Sequence, residues 1–359
     1  MKLIFRKARH CLESLLDKDG CPSSSFKLLG EHLITRNINI VGKLSAIDKI
    51  MIPEEFRETL DLVRRNFPSI EVEDFRDGAD SVVEHNASSV SNVSSLINGL
   101  STRNTILATQ GGKIKFKGNE DSIHIPLNAV LHHPAFQSAD TNSLHADFVV
   151  YPWDFLNIIH KTLHEEIKES IISPNATIAK SSIISGPCII EDGVKIDDFC
   201  KIIGPTYIGK GSFIGMSSLI RNCMFDNNTR IGFNCEIGKS YFAGDDKIAH
   251  QNVILDSIIG KNVWFGGYTG TANVLLNRKN IKFKLENGEF VDTGTDHFGA
   301  VVGNNCAVGA AVIILPGRQL SHNTVIQAGT VVGKPLTEQE IYFGKKEIIQ
   351  QIPASTGLQ

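Results

Sequence analysis

A basic stretch of the sequence, LLNRKNIKFK, carries the residue types best suited to binding phosphate groups. Its cations are Arg278, Lys279 and Lys282, and ammonium and guanidinium groups bind phosphate through charge-assisted hydrogen bonds. A solvated basic loop would have the same composition. The chain also contains 12 histidines, and an imidazole that titrates near neutrality can remove a proton from a reacting group. A surface or core-edge position is ordinary for a histidine, so the surrounding elements decide which residues can act.

The cysteines indicate neither a metal site nor a disulfide framework. Their number, seven, is odd, and no CxxC or CxxH pair suggests zinc. We therefore predict no metal. Five of them fall in the repeat region described below, where we expect small buried thiols: Cys188, Cys200, Cys223, Cys235 and Cys306.

Composition and charge argue against several classes of partner. The net charge of -3 gives no sign of a nucleic-acid or membrane partner. No apolar run approaches the roughly 20 residues of a membrane span. The first residues, MKLIFRKARH, have too short an apolar core for a signal peptide. We therefore predict a cytoplasmic location.

The C-terminal half contains a repeat of six residues. Six residues advance a helix by about 600°, so residues at this spacing scatter around the helix axis. A short strand followed by a turn, repeated every six residues, does keep these residues equivalent: each one points inward from one flat side of a triangular prism. This arrangement is typical of a parallel β-helix. With about three hexapeptides per coil, every third isoleucine should stack, about 4.8 Å apart per coil. The isoleucines are Ile178, Ile184, Ile190, Ile196, Ile202, Ile208, Ile214 and Ile220.

The repeat continues with interruptions. Its phase slips by one residue to Phe225, Ile231 and Ile237, slips again near residues 243–248, and resumes at Val253, Ile259 and Phe265. The period vanishes over residues 274–300, a segment that the prism cannot absorb. We expect it to leave as a loop, a favoured place for function. The second regular run is Val302, Val308, Ile314, Leu320, Ile326 and Val332.

Four segments are predicted from these patterns. Residues 1–150 are mixed α/β, and residues 151–172 contain an amphipathic connecting helix in which Phe155, Ile158, Ile159 and Leu163 have helical spacing. Residues 173–334 form the β-helix with its excursion at 274–300, and residues 335–359 are a tail with a helix from Thr337 to Gln351. Within the first segment we predict a strand at Lys2 to Phe5, a helix at Glu54 to Asn66 and a hairpin around Gln110-Gly111-Gly112.

The stretch from Gly232 to Lys284 resembles the acetyltransferase half of the bifunctional N-acetylglucosamine-1-phosphate uridyltransferase / glucosamine-1-phosphate acetyltransferase family. It looks most like the archaeal-type sugar-1-phosphate nucleotidylyltransferase/acetyltransferases, and the resemblance covers about residues 150 to 334. It implies a left-handed β-helix and a homotrimer with sites shared between neighbouring prisms. The matching motifs are Glu236, Ile237 and Ser240; His250 with Asp256 to Gly260; Gly266, Thr269, Thr271, Ala272 and Asn273; and Asp292 to Gly303.

The resemblance implies roles for residues around the acceptor. His250 matches the family's catalytic histidine, which would take a proton from an amino sugar as general base. Asn273 matches an asparagine that orients the substrate, although asparagine is also common in turns. Arg278, Lys279 and Lys282 match basic residues that hold the phosphate of the sugar or of coenzyme A.

The resemblance also implies an acetyl-CoA donor. Ala310 and Ala328 align with small residues whose backbone amides face the thioester, where donors would stabilise an oxyanion; prism turns need small residues in any case. Arg318 is a candidate for binding a phosphate of coenzyme A. No metal is required for the transfer.

Two departures leave the acceptor open. The family often has a tyrosine three residues after the histidine, where this chain has Val253. Where the family has a lysine in its E-I-K-x-S stretch, this chain has Gly238, and Lys239 follows one position later as a candidate substrate contact. Both positions would touch the amino sugar.

The N-terminal segment resembles a degenerate nucleotidyltransferase domain. Phe26 to Ile52 is similar to the family's K-P-L-L-P-V-x-G-x-P-L-I-E stretch. The family's glycine-rich loop after its first strand cradles a triphosphate with backbone amides, but RKARHCLESLL contains no glycine. The nearest counterpart of the G-D turn that binds magnesium is Gly111-Gly112, with no carboxylate. We therefore predict that nucleotidyl transfer has been lost.

The predicted function is N-acyl transfer, most simply of acetyl, from acyl-CoA to the amine of an amino-sugar phosphate or nucleotide-linked amino sugar. Three alternatives remain. The first is a sugar-1-phosphate nucleotidyltransferase with an altered loop. The second is a non-catalytic regulatory or scaffold homologue, and the third is an enzyme with another acyl donor or a hydroxyl acceptor.

Overall fold

The N-terminal part contains a parallel sheet covered by helices. The computed structural model describes residues 2–6, 25–43, 46–76, 108–109, 113–115, 122–127, 129–132, 143–285, 288–336 and 341–342. Four parallel strands lie in the order Glu71–Phe75, Lys49–Pro53, Lys2–Arg6 and Ser122–Pro126. Helix α1 spans Leu33–Gly42 and helix α2 spans Arg57–Asn66. The strand and the helix predicted near these positions are confirmed.

Helix α2 shows why these sequences form these elements. Its buried residues Thr59, Leu60 and Val63 have the spacing of one helix face. Glu58 lies in its first turn and two arginines lie in its last turn, as the helix dipole favours.

A second sheet and a short pair of strands complete this part. The second sheet has the order Ala108–Thr109, Lys113–Lys115, Ser143–Phe148 and Ala129–Leu131, and all its pairs are antiparallel. The two strands of the hairpin predicted around residues 110–112 are thus paired, while the turn itself lies outside the described residues. Lys27–Leu28 pairs with Glu31–His32, also antiparallel.

The described strands between Ile171 and Tyr342 form a prism with three parallel sheets, here called the first, second and third faces. The first face is Ile171–Ile172, Cys188–Ile190, Thr206–Ile208, Met224–Phe225, Tyr241–Phe242, Ile258–Ile259, Ala300–Val302 and Arg318–Leu320. The second is Thr177–Ile178, Lys195–Ile196, Phe213–Ile214, Arg230–Ile231, Lys247–Ile248, Trp264–Phe265, Ala307–Val308, Val325–Ile326 and Ile341–Tyr342. The third is Ile183–Ser185, Lys201–Ile203, Leu219–Arg221, Glu236–Gly238, Val253–Leu255, Gly270–Thr271, Ile313–Ile314 and Val331–Val332.

The predicted architecture is confirmed: an α/β part precedes a parallel β-helix of hexapeptide repeats. Ile178 pairs with Ile196 and Ile196 with Ile214, so every third isoleucine stacks as predicted. From Ile190 onward the isoleucines of the first run are buried in one continuous core, as is every member of the second run. Ile178 and Ile184, near the open end, are half-buried.

The second phase slip differs from the prediction. The core residue at this position is Ile254, which is fully buried, while Val253 lies outside and is 44% exposed. The slips fall between Ile237 and Phe242 and between Ile254 and Ile259, not near residues 243–248. Periodicity alone was ambiguous here because consecutive apolar side chains fit either phase.

Each slip shortens the same corner of the prism, the third–first corner, where the chain passes from the third face to the first. Asn222, Lys239 and Asp256 occupy this corner in successive coils, each with positive φ (53°, 48° and 44°). A left-handed residue turns the backbone sharply, as Asn228 and Gln251 also do at the other corners. Each of the three coils that end in these residues is one residue shorter than the coils of the first run, as the strand pairings show.

The first face is covered by other parts of the chain. Helix α3, Pro152–Glu166, packs on it, together with the strand pair near Leu28 and Phe283 of the excursion. Tyr151 N donates to Asp154 Oδ2 at 2.8 Å, and proline occupies the first helical position, so the helix start is well defined.

The excursion leaves at the third–first corner and folds back onto the same prism. Its strands Lys282–Lys284 and Phe290–Asp292 form an antiparallel hairpin. Ile281, Phe283 and Phe298 are buried against the first face. We expected this segment to leave the prism, and the structure adds that its base is anchored by apolar contacts.

The tail extends the second face. Ile341–Tyr342 is a strand that pairs with Val325–Ile326, so these two residues are not helical as predicted for Thr337–Gln351. The remainder of that predicted helix lies outside the described residues. No helix in the described part of the chain is both long enough and apolar enough to cross a bilayer.

Replacing Ile254 with alanine should lower the free energy of unfolding by about 2–5 kcal/mol, because it leaves a cavity in the prism. Val253→Ala is the matched control, since it removes an exposed side chain from the same strand, and its effect should stay within about 0.5 kcal/mol. Chemical denaturation followed by circular dichroism measures both. A larger loss for Val253→Ala would contradict the register described here.

Candidate active site

His250 is exposed at the corner between the second and third faces, here called the second–third corner. It follows the strand Lys247–Ile248, whose inward isoleucine fixes the outward direction of the turn. The amide of Phe233, in the preceding coil, donates to His250 Nδ1 at 3.1 Å. Because Nδ1 accepts this bond, the neutral ring carries its proton on Nε2.

The same contact occurs at corners without predicted chemistry. Asn304 N donates to His322 Nδ1 at 2.8 Å, and Lys210 N donates to Asn227 Oδ1 at 3.0 Å. A side chain that accepts from the amide of the preceding coil is thus a recurring device of this prism. His250 fills that structural role whatever else it does.

Ala310 and Ala328 lie on the corner that carries His250. Tyr268 N donates to His250 O, Ala311 N to Gly267 O, and Gly329 N to Ala310 O, which places successive coils in register. With about 4.8 Å per coil, Ala310 is about 10 Å and Ala328 about 14 Å from His250 along the prism. The structure thus brings these three predicted residues onto one line.

Glycines next to this line are required by close backbone contacts. A Cβ at Gly266 would lie 2.5 Å from Ala310 N, and one at Gly309 would lie 2.4 Å from Ala328 N. No side chain fits at that distance, so both positions need glycine. Apart from Tyr268, which is 65% exposed, the corner beyond His250 is therefore lined by backbone and small residues.

Asn273 lies on a different corner. Its Nδ2 donates to Asp256 Oδ2 at 2.5 Å, and its carbonyl accepts from Phe298 N at 2.9 Å, where the excursion returns. Lys239 lies on the same third–first corner in an earlier coil. Within one chain, the third face separates Asn273 and Lys239 from His250.

Two residues beside Asn273 were not among the predicted site residues. Asp256 is 9% exposed and fixes the Asn273 amide; its position one coil before Asn273 is the sequence signal that would have found it. Nε2 of His160, in helix α3, lies 3.3 Å from Lys239 O, and burial lowers the pKa of this imidazole. No local pattern reveals His160, because only packing of the helix brings it there.

Arg221 was missed as well. Its guanidinium pairs with Glu236 and lies over Gly238, where an added Cβ would be 3.2 Å from Arg221 Cζ. Gly238 is the position where the resembling family has lysine. In this chain the guanidinium of Arg221, from the preceding coil, lies at that place. Its spacing of one coil before Gly238 is the sequence signal that would have identified it.

The remaining predicted cations lie on or beside the excursion. Arg278, Lys279 and Lys282 are exposed. Arg318 lies at the third–first corner, where its guanidinium donates to Gly333 O at 2.8 Å and to Pro316 O at 3.1 Å, and burial lowers its pKa. Arg318 is therefore close to the excursion and not on the line of Ala310 and Ala328.

The five described cysteines are buried and unpaired, as predicted. Burial raises the pKa of Cys188 and Cys306 to about 11, and that of Cys223 to about 12. A thiol needs its thiolate form to act as nucleophile, so these three cannot do so near neutrality. Among the described residues, no cluster of three or more His, Cys, Asp or Glu side chains is arranged to hold a metal.

The β-helix carries repeats of a known transferase class. The family model described as bacterial transferase hexapeptide (six repeats) matches residues 187–222. These residues include strands of all three faces, so the match falls on the regular coils described above.

Three curated proteins are similar to the C-terminal half. The bifunctional protein GlmU of Methanococcus vannielii is 31% identical over 199 residues, covering 55% of this chain and 47% of that protein. A bifunctional sugar-1-phosphate nucleotidylyltransferase/acetyltransferase of Sulfurisphaera tokodaii is 30% identical over 194 residues, covering 53% and 47%. YaiX of Escherichia coli, a putative uncharacterized acetyltransferase, is 29% identical over 184 residues, covering 50% and 80%. The chain thus spans about half the length of the first two relatives. The resemblance is confirmed for the C-terminal half.

The buried thiols should not react with Ellman's reagent in the folded protein at pH 8. Burial raises the pKa of all five thiols and so lowers their thiolate fraction at that pH, and the prism excludes the reagent. The measurement uses a chain with Cys11→Ser and Cys21→Ser, because those two cysteines lie outside the described residues. All five remaining thiols should react after unfolding in guanidinium; a rapid reaction of the folded chain would contradict their placement.

Proposed function

We propose that this protein transfers an acyl group, most simply acetyl, from acyl-coenzyme A to the amine of an amino-sugar phosphate or nucleotide-linked amino sugar. The observation that carries the proposal is the line formed by His250, Ala310 and Ala328. An exposed imidazole lies on a corner where, apart from Tyr268, small residues follow it in the next coils. The similarity of this half to acetyltransferases supports the same reading.

The chemistry needs a base and a site for the thioester. The acceptor nitrogen forms a bond to the carbonyl carbon, the C–S bond breaks, and the proton lost from nitrogen passes through His250 to the leaving thiolate. The proposal assigns stabilisation of the oxyanion to backbone amides near Ala310 and Ala328. Acyl-coenzyme A would supply the activated acyl group.

His250 must change its hydrogen bonding to act as a base. In the arrangement described above, Nε2 carries the proton and Nδ1 accepts from Phe233 N. The lone pair that can accept a proton is therefore on Nδ1, so the proposal includes a rotation of the ring that breaks the contact with Phe233 N and turns Nδ1 toward the acceptor when it binds.

The proposed site is completed by a second copy of the chain. His250 and Asn273 lie at opposite edges of the third face, so one chain does not supply both to one ligand. The third face exposes apolar side chains, including Ile183, Val253, Ile313 and Val331, and exposed apolar surfaces of this kind mark interfaces. In a homotrimer, Asn273, Lys239 and the basic excursion of one copy would approach His250 of its neighbour.

The N-terminal part is proposed to have lost nucleotidyl transfer. The support is the absence from the sequence of a glycine-rich loop after the first strand. Lys27 Nζ pairs with Asp226 Oδ2 at 2.6 Å, and Lys27 N donates to Tyr241 OH at 3.2 Å. These contacts support a structural role for residues near Lys27 in covering the first face.

Replacing His250 with asparagine should lower kcat by at least about 100-fold, the lower end for loss of a general base. Asparagine keeps the acceptor for Phe233 N, as Asn227 does at its own corner. His322→Asn is the matched control, because it changes the same contact elsewhere, and its rate should be unchanged. Release of free coenzyme A thiol with a panel of amino-sugar phosphates and nucleotide-linked amino sugars measures the rate. Full activity of His250→Asn would reduce His250 to its structural role, and no thiol release with any acceptor would reject acyl transfer.

Replacing Val331 with glutamate should dissociate the proposed trimer. A charge on the apolar third face must be desolvated when a second copy covers that face. The mass measured by light scattering should fall from three times the 39.3 kDa of the chain to one chain. Val325→Glu is the control: it makes the same substitution at an exposed valine on the second face, and it should leave the mass unchanged. A single-chain mass for the unmodified protein would contradict the shared site.

A further inference from the structure

The outer side of the second face has a depression of about 270 Å³ beside His250. Its outward side chains are Phe213, Arg230, Lys247 and Trp264, which come from four successive coils in direct register. With about 4.8 Å per coil, the row extends about 14 Å from Phe213 to Trp264. His250 lies at its rim, three residues after Lys247.

Two cations in this row lack carboxylate partners within the described part of the chain. The Arg230 guanidinium lies 5.2 Å from the centroid of the Phe213 ring, a cation–π contact that orients it. Lys247 is the next outward side chain and is also exposed. Two adjacent, unneutralised cations one coil apart suit two linked phosphate groups.

The row ends in an exposed indole. Trp264 follows Lys247 in register and is 46% exposed. An exposed aromatic ring beside phosphate-binding cations provides a surface on which a base stacks. Gly232 and Ala249 also line the depression, between the row and His250, and neither has a large side chain that would fill it.

The length of the cationic row limits the ligand to two phosphates. Beyond Trp264 the next outward residues are Ala307 and Val325, which carry no charge. On the other side, Phe213 separates the pair from Lys195. A polynucleotide would need a longer row of cations, and a sugar monophosphate would leave the indole unused.

We infer that this depression binds the nucleoside diphosphate of the acceptor, so that the acceptor is a nucleotide-linked amino sugar. The base stacks on Trp264, the diphosphate pairs with Lys247 and Arg230, and the sugar extends to His250 at the rim. The acyl donor is assigned to the second–third corner, along Ala310 and Ala328, and the nucleotide to the outer side of the second face, so the two ligands occupy different surfaces of the prism. The assignment to the acceptor rests on the proposed acyl transfer; nucleotide binding itself does not.

Tryptophan fluorescence of the full-length protein tests the binding step. The chain has two tryptophans, and Trp153 is 8% exposed, so a ligand that stacks on Trp264 quenches the accessible one. The probes are UDP, dTDP, CDP, ADP and GDP, with inorganic pyrophosphate and uridine as fragments. We expect at least one diphosphate to quench the emission, and each fragment to bind at least about tenfold more weakly. Absence of binding by all five diphosphates would overturn the inference.

Calorimetry on variants tests the contacts. Trp264→Ala, Arg230→Gln and Lys247→Gln should each weaken binding of the best diphosphate about tenfold. Lys195→Gln is the matched control, since it removes an exposed cation from the same face outside the depression, and its affinity should stay within about twofold. All four positions are exposed, and circular dichroism checks that each variant folds. Equal losses for Lys195→Gln and Lys247→Gln would show only nonspecific charge attraction and overturn the site.

Competition separates the acceptor from the donor. Saturating coenzyme A should leave the affinity for the diphosphate unchanged; mutual exclusion, with coenzyme A binding weakened by Lys247→Gln, would reassign the depression to the donor and overturn the inference. The two proposals also fail separately. Diphosphate binding without thiol release from any acceptor would reject acyl transfer but keep the site, and acylation of a sugar phosphate without diphosphate binding would reject only the site.

Discussion

The hydrogen-bonded stacking of successive coils is the constraint on which the rest of the structure depends. Successive coils present inward residues on all three faces, apolar except for Thr271 among the described coils, because the core is one continuous column from Cys188 to Leu336. Outward side chains do not have to fit this core, so their residue type is not restricted by it. The stacking also aligns outward residues of different coils at a spacing of about 4.8 Å. A rigid row of side chains, such as Arg230 and Lys247, therefore follows from backbone pairing without any contact between them.

The third–first corner shows how a local change in coil length produces an anchoring point. Three coils lose one residue there, and the excursion leaves from the same corner in the next coil. Asp256 holds Asn273 at this point, and helix α3 brings His160 against Lys239. The excursion is consequently fixed at its base by hydrogen bonds and apolar packing, while Arg278, Lys279 and Lys282 remain exposed. This combination gives a basic segment with a defined origin on the prism.

The role of His250 depends on two competing demands on one ring. The prism uses its Nδ1 to satisfy an amide of the preceding coil, as it uses asparagine and histidine side chains elsewhere. General base action needs a lone pair directed outward. The two demands are compatible only if the ring can exchange one hydrogen bond for another, and its exposure at the corner leaves it free to rotate. The position is thus structurally ordinary and chemically accessible at once.

The sequence by itself determined the β-helix, because a six-residue apolar period is compatible with few other folds. The apolar position of each repeat also identifies the side chain that faces the core. It also determined that the segment at 274–300 leaves the prism and that the five cysteines of the repeats are buried. Only the tertiary structure decided that Ile254, and not Val253, is inside, since both are apolar and only packing distinguishes them. Only it could place Arg318 away from Ala310 and bring Arg221 over Gly238, because the corner on which a residue falls depends on every earlier change in coil length. The depression beside His250 arises in the same way, from residues that are far apart in the chain and meet only when the coils stack.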